Sequence, residues 1–317
     1  MKIAVFADVH SNLDALETVL DHIDRWRPDR VLCAGDIINR GPKPLECTER
    51  VVTRALAEDW GMIYGNHERY VLKYGRGNLP DHGPEFEIIR HAKWTYDQLV
   101  GQTDQAGSDG QAGQTGQAGQ DGLTGTDGPD STNHPDNLVE RLEALPFQWS
   151  MTDEAGSEFR MVHASMLGDR KGIFPDDSEE SLREKIAPAP KVLVVGHTHR
   201  PLIRTVDDAL VVNVGAVGAP FDRDPRAAYA QMTYEAGAWT AEIIRLDYDR
   251  ERAIARFHES GYLEDSGDFT RLILAEFREA RSLIPGWYRA FEDRVMGGEI
   301  SLKASVDRYL KDCMIDG

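Results

Sequence analysis

Two short stretches of the chain each place two candidate metal donors a single residue apart: Asp8 and His10 in FADVHSN, and His197 and His199 in VGHTHRP. Three more donor-bearing stretches accompany them: Asp36 in AGDIINRGP, Asn66 and His67 in YGNHE, and His163 in MVHAS. Five of the chain's ten histidines fall in these segments. One aspartate after a strand serves as an ordinary helix cap or turn former, but capping needs no histidine, so the joint pattern points to metal chemistry. Imidazole and carboxylate without thiolate suit Mn, Fe, Zn or Ni better than Mg or Ca. Seven candidate ligands (Asp8, His10, Asp36, Asn66, His163, His197 and His199) exceed the needs of one tetrahedral ion and suit two divalent ions sharing a carboxylate.

These donors follow apolar runs of strand length at residues 2–8, 30–36, 60–66, 158–164, 191–197 and 209–215, with AYAQMTY and WTAEIIRLDY behind them. Near-continuous Val, Ile and Leu content predicts strands covered on both faces. Leu13, Leu16 and Leu20, opened by Ser11 or Asn12, predict a capped helix between the first two runs, and a second helix is expected from Pro44 to about Ala57. The alternation gives an α/β layered protein whose later half is largely strand. In such sheets ligands gather beyond the carboxyl ends of the strands, which is where all five donor segments stand. Extended residues i and i+2 point to one side, so Asp8 with His10, and His197 with His199, are each expected to aim into one space.

Residues 68–157 interrupt the alternation and read as a small helical cap, bounded by EFEIIRHAKWTYDQL and NLVERLEALP. Inside it, at about 101–137, glycine falls at every third position from Gly107 to Gly128. From Gly107 to Gly128 the triplets lack the proline that pre-orders collagen chains, and the insert lacks the apolar residues a core needs, so it reads as a flexible low-complexity segment. Residues 1–258 form the main domain on this reading, and 259–317 a C-terminal helical extension. In the extension Phe269, Leu272, Ile273 and Phe277, and again Tyr288, Phe291 and Val295, recur at helical spacing. Such stripes are packing surface, to be covered by the sheet, by the cap, or by a second subunit in a homo-oligomer.

With 317 residues, 41% hydrophobic and 28% charged, the chain is long enough for one large core or two modest ones. A formal charge of −18 repels phosphate backbones, so no stable nucleic-acid complex is expected. A small anionic substrate then needs a locally positive site, which metal ions supply compactly. No stretch has the length of a membrane span and the N-terminus lacks a signal-like apolar run, so a cytoplasmic protein is expected. Cys33, Cys47 and Cys313 are widely spaced and suggest neither a disulfide framework nor a thiolate metal site.

Taken in order, Asp8-x-His10, Gly35-Asp36, Gly65-Asn66-His67-Glu68, His163 and Gly196-His197-x-His199 resemble the five blocks of the calcineurin-like metallophosphoesterase superfamily. The resemblance implies a four-layer α/β/β/α sandwich, here with a helical cap and extra C-terminal helices. It implies that Asp8, His10 and His199 hold a first metal, that Asn66, His163 and His197 hold a second, and that Asp36 bridges them. The expected activity is hydrolysis of phosphoester bonds by a hydroxide shared between the two ions, with Mn foremost. His67 is the expected proton donor to the leaving group, and Arg40, Asn66, His67 and Arg200 are the expected substrate contacts. VNVGAVGAPF is similar to a segment of small bacterial and archaeal phosphodiesterases, with Val214 and Ala216 in place of the usual Pro and Ser. GDIINRGP and GNHE are similar to protein serine/threonine phosphatases and symmetrical dinucleoside tetraphosphatases. There an Asp that orients the catalytic His stands where this chain has the uncharged Asn39, which is left to accept a hydrogen bond. A small phosphodiester or nucleotide is therefore the expected substrate, a phosphoprotein the alternative, and a non-catalytic scaffold the alternative from another class.

Overall fold

The computed structural model describes residues 1–77, 80, 82–101 and 137–315. The glycine triplets between Gly107 and Gly128 lie outside the described residues. Among the described residues the chain forms two five-stranded mixed sheets. The first comprises β1 (Lys2–Phe6), β2 (Arg30–Cys33), β3 (Gly61–Met62), β9 (Ala227–Glu235) and β10 (Ala238–Leu246), in the order β10-β9-β1-β2-β3. The second comprises β4 (Gln148–Thr152), β5 (Glu158–Val162), β6 (Val192–Val195), β7 (Leu202–Val206) and β8 (Ala209–Asn213), in the order β4-β5-β6-β8-β7. Parallel pairing joins β1, β2 and β3 in one sheet and β5, β6 and β8 in the other.

Alternation along each central strand explains why the apolar runs are continuous. Ile3, Val5, Ala7, Leu32 and Ala34 meet Phe159, Met161, Val192, Val194 and Val212 in a core between the sheets. The residues between them turn outward: Ala4, Phe6 and Cys33 pack under helices, and Leu193 and Val195 pack against α6 (Glu179–Ile186). Each strand is thus buried on both faces, as parallel strands generally are. The outer layer on the first sheet is α1 (Leu13–Trp26) and α2 (Pro44–Glu58). Asn12 caps α1 by accepting the Ala15 N–H, and Leu16, Val19, Leu20 and Ile23 form its buried stripe. Each such side chain contributes about 1.5–3 kcal/mol on burial. The architecture is the four-layer α/β/β/α sandwich, with further helices at one end.

Those helices are α3 (Asn66–Gly75), α4 (Pro84–Val100), α5 (Leu138–Glu143), α7 (Arg250–Glu259), α8 (Tyr262–Asp265), α9 (Thr270–Glu279), α10 (Ile284–Met296) and α11 (Leu302–Asp312). One side of α4 places Ala92 and Leu99 in the main core. Its other side places Ile88, Ile89 and Trp94 in a separate core with Phe257, Phe269, Leu272, Trp287, Phe291, Val306 and Leu310. The apolar stripes of the tail are therefore covered within the chain, by α4 and by one another. Two strands, β4 and β7, fall outside the runs expected to be strands. The segment read as a helical cap, 68–157, includes β4, which pairs with β5 in the second sheet.

Candidate metal centre

The site begins where β1, β2, β5 and β6 stop. Asp8, His10, Asp36, His197 and His199 do not continue the strands; they and Ser11, Asn39 and Arg40 all have positive φ, between 47° and 69°. The expected extended i, i+2 geometry is thus corrected: Asp8 and His10 do reach one donor group, but from left-handed turns, whereas His197 and His199 do not share one. These residues sit in left-handed turns, a conformation that Asp, Asn and His tolerate better than most residues but that still costs energy. The cost is offset by main-chain bonds that prolong the β1–β2 ladder through the loops: Asp8 N–H to Gly35 O (3.0 Å), His10 N–H to Asp36 O (3.1 Å) and Ser11 N–H to Ile37 O (2.9 Å).

Left-handed turns also send the two histidines of VGHTHRP to different places. His199 joins Asp8, His10 and Asp36, whereas His197 joins His163 and Asp36. In each group one ligand atom per residue lies within 4.8 Å of the others, and Asp36 belongs to both. Asn66 completes the second group, its Oδ1 standing 3.1 Å from His163 Nε2. All seven candidate ligands are brought together.

The carboxylates are divided in the same way. One oxygen of each accepts a loop amide: Asp8 Oδ2 from His197 N–H and Asp36 Oδ1 from His67 N–H, both at 2.8 Å. The other oxygens, Asp8 Oδ1 and Asp36 Oδ2, are buried without a hydrogen-bond partner among the described residues and face imidazole nitrogens, His199 Nε2 at 3.4 Å and His163 Nε2 at 3.2 Å. The imidazoles are oriented by main-chain carbonyls. His163 Nδ1 donates to Ala34 O (2.8 Å) and His199 Nδ1 to Ala219 O (2.5 Å), while His197 Nε2 donates to Arg170 O (3.2 Å). Each donation leaves the opposite nitrogen as a lone pair, the arrangement by which an outer partner prepares a metal-ligating imidazole. His10 and His199 approach through Nε2 atoms 3.1 Å apart. These carboxylate oxygens and ring nitrogens converge in two buried groups, a donor set that suits divalent cations. Without them, burial and neighbouring histidines push His10 well below the ordinary range, and burial takes His197 to about 4. Burial also opposes charge on His163 and Asp36, but their mutual attraction prevails: His163 is pushed up to about 10 and Asp36 falls well below the carboxylate range.

Close backbone approach is built in. A Cβ on Gly65 would stand 2.0 Å from Asp36 Oδ1, and one on Gly196 2.6 Å from Asp8 Oδ2. Glu68, in the first turn of α3, is fully buried. Its two oxygens accept from Gly65, Asp36, Ile37 and Ile38 N–H at 2.7–3.3 Å, tying the third strand's loop to the second's. Burial, and then the Asp36 charge, push its carboxyl up to about 7. Asn213 does similar work on the fifth loop, its Nδ2 reaching Gly196 O (2.7 Å) and Thr198 Oγ1 (2.8 Å).

Beside this centre, Asn39 Oδ1 accepts the Arg40 main-chain N–H (2.9 Å) and faces His91 Nδ1 (2.8 Å). A main-chain amide can only donate, so this fixes the amide's orientation: Asn39 Nδ2 donates to His67 Nδ1 at 2.9 Å. The expected acceptor role toward His67 is corrected to a donor role, and the ring proton of neutral His67 is left on Nε2. Arg40 stands near the centre, yet its Nη2 is bound to Glu276 of α9 at 2.5 Å. Arg200 lies at the edge, its Nε donating to Phe221 O (3.3 Å). Arg40, Asn66, His67, His197 and Arg200 line one cavity of about 680 Å³. Sequence reasoning missed Glu276 and His91; the available signals were a carboxylate on the apolar face of α9 and a histidine on that of α4.

Residues 1–237 match the model of the calcineurin-like phosphoesterase superfamily domain. An uncharacterized protein of Methanocaldococcus jannaschii, MJ0912, is 23% identical over 270 residues, which is 79% of this chain and 89% of the relative. Among solved structures, a metallophosphoesterase from Sphaerobacter thermophilus superposes with a TM-score of 0.60 at 24% identity, covering 88% of this chain and 100% of that one. The hypothetical protein PH1004 from Pyrococcus horikoshii superposes with a TM-score of 0.62 at 19% identity, covering 84% and 95%. These likenesses extend over the fold.

Proposed function

The chain belongs to the calcineurin-like phosphoesterase superfamily, and on that premise we propose that it hydrolyses the ester bond of a small phosphodiester or nucleotide with two divalent ions. The observation that carries this reading is Asp36, whose carboxylate is common to both donor groups. Asp8, His10 and His199 would hold one ion and Asn66, His163 and His197 the other, with Asp36 between them. When bound, two such ions supply a hydroxide nucleophile at neutral pH and neutralise phosphoryl charge; the nitrogen and oxygen donors suit Mn, Fe, Zn or Ni.

The chain's own residues do the rest. Arg40 offers guanidinium donors to the non-bridging phosphoryl oxygens, and its pairing with Glu276 holds it at the cavity. Asn39 holds the His67 ring so that Nε2 carries the proton available to the leaving oxygen. Such a positioned donor contributes on the order of a hundredfold or more in rate. A cavity of about 680 Å³ lies in the range for small organic ligands, which favours a small diester over a phosphoprotein.

The test is hydrolysis of bis(4-nitrophenyl) phosphate by the Mn-loaded protein, with Asp36→Asn as its counterpart. Activity in the parent and a loss of at least about a hundredfold in the variant, with unchanged circular dichroism, are expected. Undiminished turnover in Asp36→Asn would overturn the reading.

A further inference from the structure

The cavity that opens on His67 and Asn66 has a second wall of a different chemistry. Tyr70 of α3, with Phe269, Ile273, Ile284, Pro285 and Tyr288 from the C-terminal segment, lines the same cavity. Five of these six lie beyond residue 237, where the match to the superfamily domain ends, so the C-terminal helices contribute most of this wall. A phosphoryl group gains nothing from it, since apolar side chains cannot replace the hydration of an anion. The wall instead suits an organic group carried by the phosphate.

We propose that this wall is a subsite for a flat aromatic arm of the substrate, so that the preferred substrate is a phosphodiester with an aryl or nucleobase-bearing arm. The inference rests on the phosphoesterase reading above and names the substrate class of the same site. Flatness is the property selected. Tyr70 and Tyr288 are half-buried and held by other rings: Tyr70 stacks on His91 and meets Tyr74 edge-on, and Tyr288 meets Phe269 at a tilt and Trp287 edge-on. Aromatic rings held this way present large rigid surfaces that favour stacked or edge-on contact with another ring. The subsite is also tied to the phosphate position. Glu276 binds Arg40 while accepting the Leu283 and Ile284 main-chain N–H groups (2.6 and 2.9 Å), so one carboxylate fixes both the phosphate-facing arginine and the start of α10.

Three diesters sharing the 4-nitrophenyl leaving group but carrying methyl, phenyl or thymidin-5′-yl as the second arm separate the possibilities in the full-length, Mn-loaded protein. A kcat/KM at least about tenfold higher for either aromatic arm than for methyl is expected, as stacking on this wall would give; whether phenyl or thymidinyl leads identifies the aryl or the nucleoside source. In Tyr288→Ala the ratio should fall below about threefold, and Tyr288→Phe should restore it. A readout independent of turnover is saturation-transfer NMR of monophenyl phosphonate with metal-free protein, where transfer to the ring protons should be strong in the parent and weak in Tyr288→Ala. Hydrolysis of all three diesters at equal rates, or absence of transfer to the ring protons, would overturn the subsite and leave the phosphoesterase reading standing. Failure to hydrolyse any of the three would overturn both.

Discussion

Arg40 and Glu276 are 236 positions apart in the chain and meet in a 2.5 Å ion pair that joins the loop after β2 to α9. Their side chains are 13% and 3% exposed, so water screens the pair little. Removing one partner leaves a poorly solvated charge, whereas removing both does not. A double-mutant cycle with Arg40→Ala and Glu276→Ala, read by urea unfolding, should give a coupling energy of about 1.5–3 kcal/mol. A coupling below about 0.5 kcal/mol would mean that the contact does not bind the tail to the sandwich.

Metal stoichiometry follows from how the donors are divided. His10 and His163 belong to different groups, and Asp36 belongs to both. After loading and gel filtration, the parent should retain about two ions per chain, His10→Ala and His163→Ala about one each, and Asp36→Asn fewer than either. A parent that saturates with a single ion would defeat the two-ion assignment.

His91 should make stability fall in mild acid. It is buried against Asn39 and Phe269, and burial, then the Arg40 charge, pull its pKa from 6.5 down to about 3. The unfolded chain takes up the proton below about 6.5, but the folded chain does not until near 3, so stability is full above 6.5 and declines as the pH falls through that window. Between pH 7 and pH 5 this single group removes about 2 kcal/mol. His91→Gln should lose that much less than the parent over the same interval in urea unfolding; parallel losses would contradict the assignment.

Glu68 is expected to be among the most sensitive positions outside the ligand set. Glu68→Gln puts an amide nitrogen against main-chain donors that now face a carboxylate oxygen. Lost charge-assisted bonds and a newly unsatisfied donor together predict a destabilisation of about 3 kcal/mol in chemical denaturation. A change under about 0.5 kcal/mol would show that the loops are held by other contacts.

The donor set was legible because histidines are rarely needed at strand ends, and the core strands because burial on both faces leaves unbroken apolar runs. What escaped notice has physical reasons. β4 and β7 are the edge strands of the second sheet, alternately exposed and half-buried except for the buried Val206, and no apolar run marks them. Left-handed turns at Asp8, Asp36, His197 and His199 carry no glycine signal at those positions, since Asp and His can adopt that conformation when their surroundings impose it. Glu276 and Asn39 depend on contacts across 236 and 28 to 52 residues, which spacing within a segment cannot reveal.

The helix α4 faces two cores at once, and this governs how the molecule can be shortened. A chain cut after residue 258 would keep every candidate ligand, but would expose Ile88, Ile89 and Trp94 to water and deprive Arg40 of its counter-charge. A transplant of the ligand-bearing sandwich must therefore carry its own roof, or the graft will be sticky where the parent is dry.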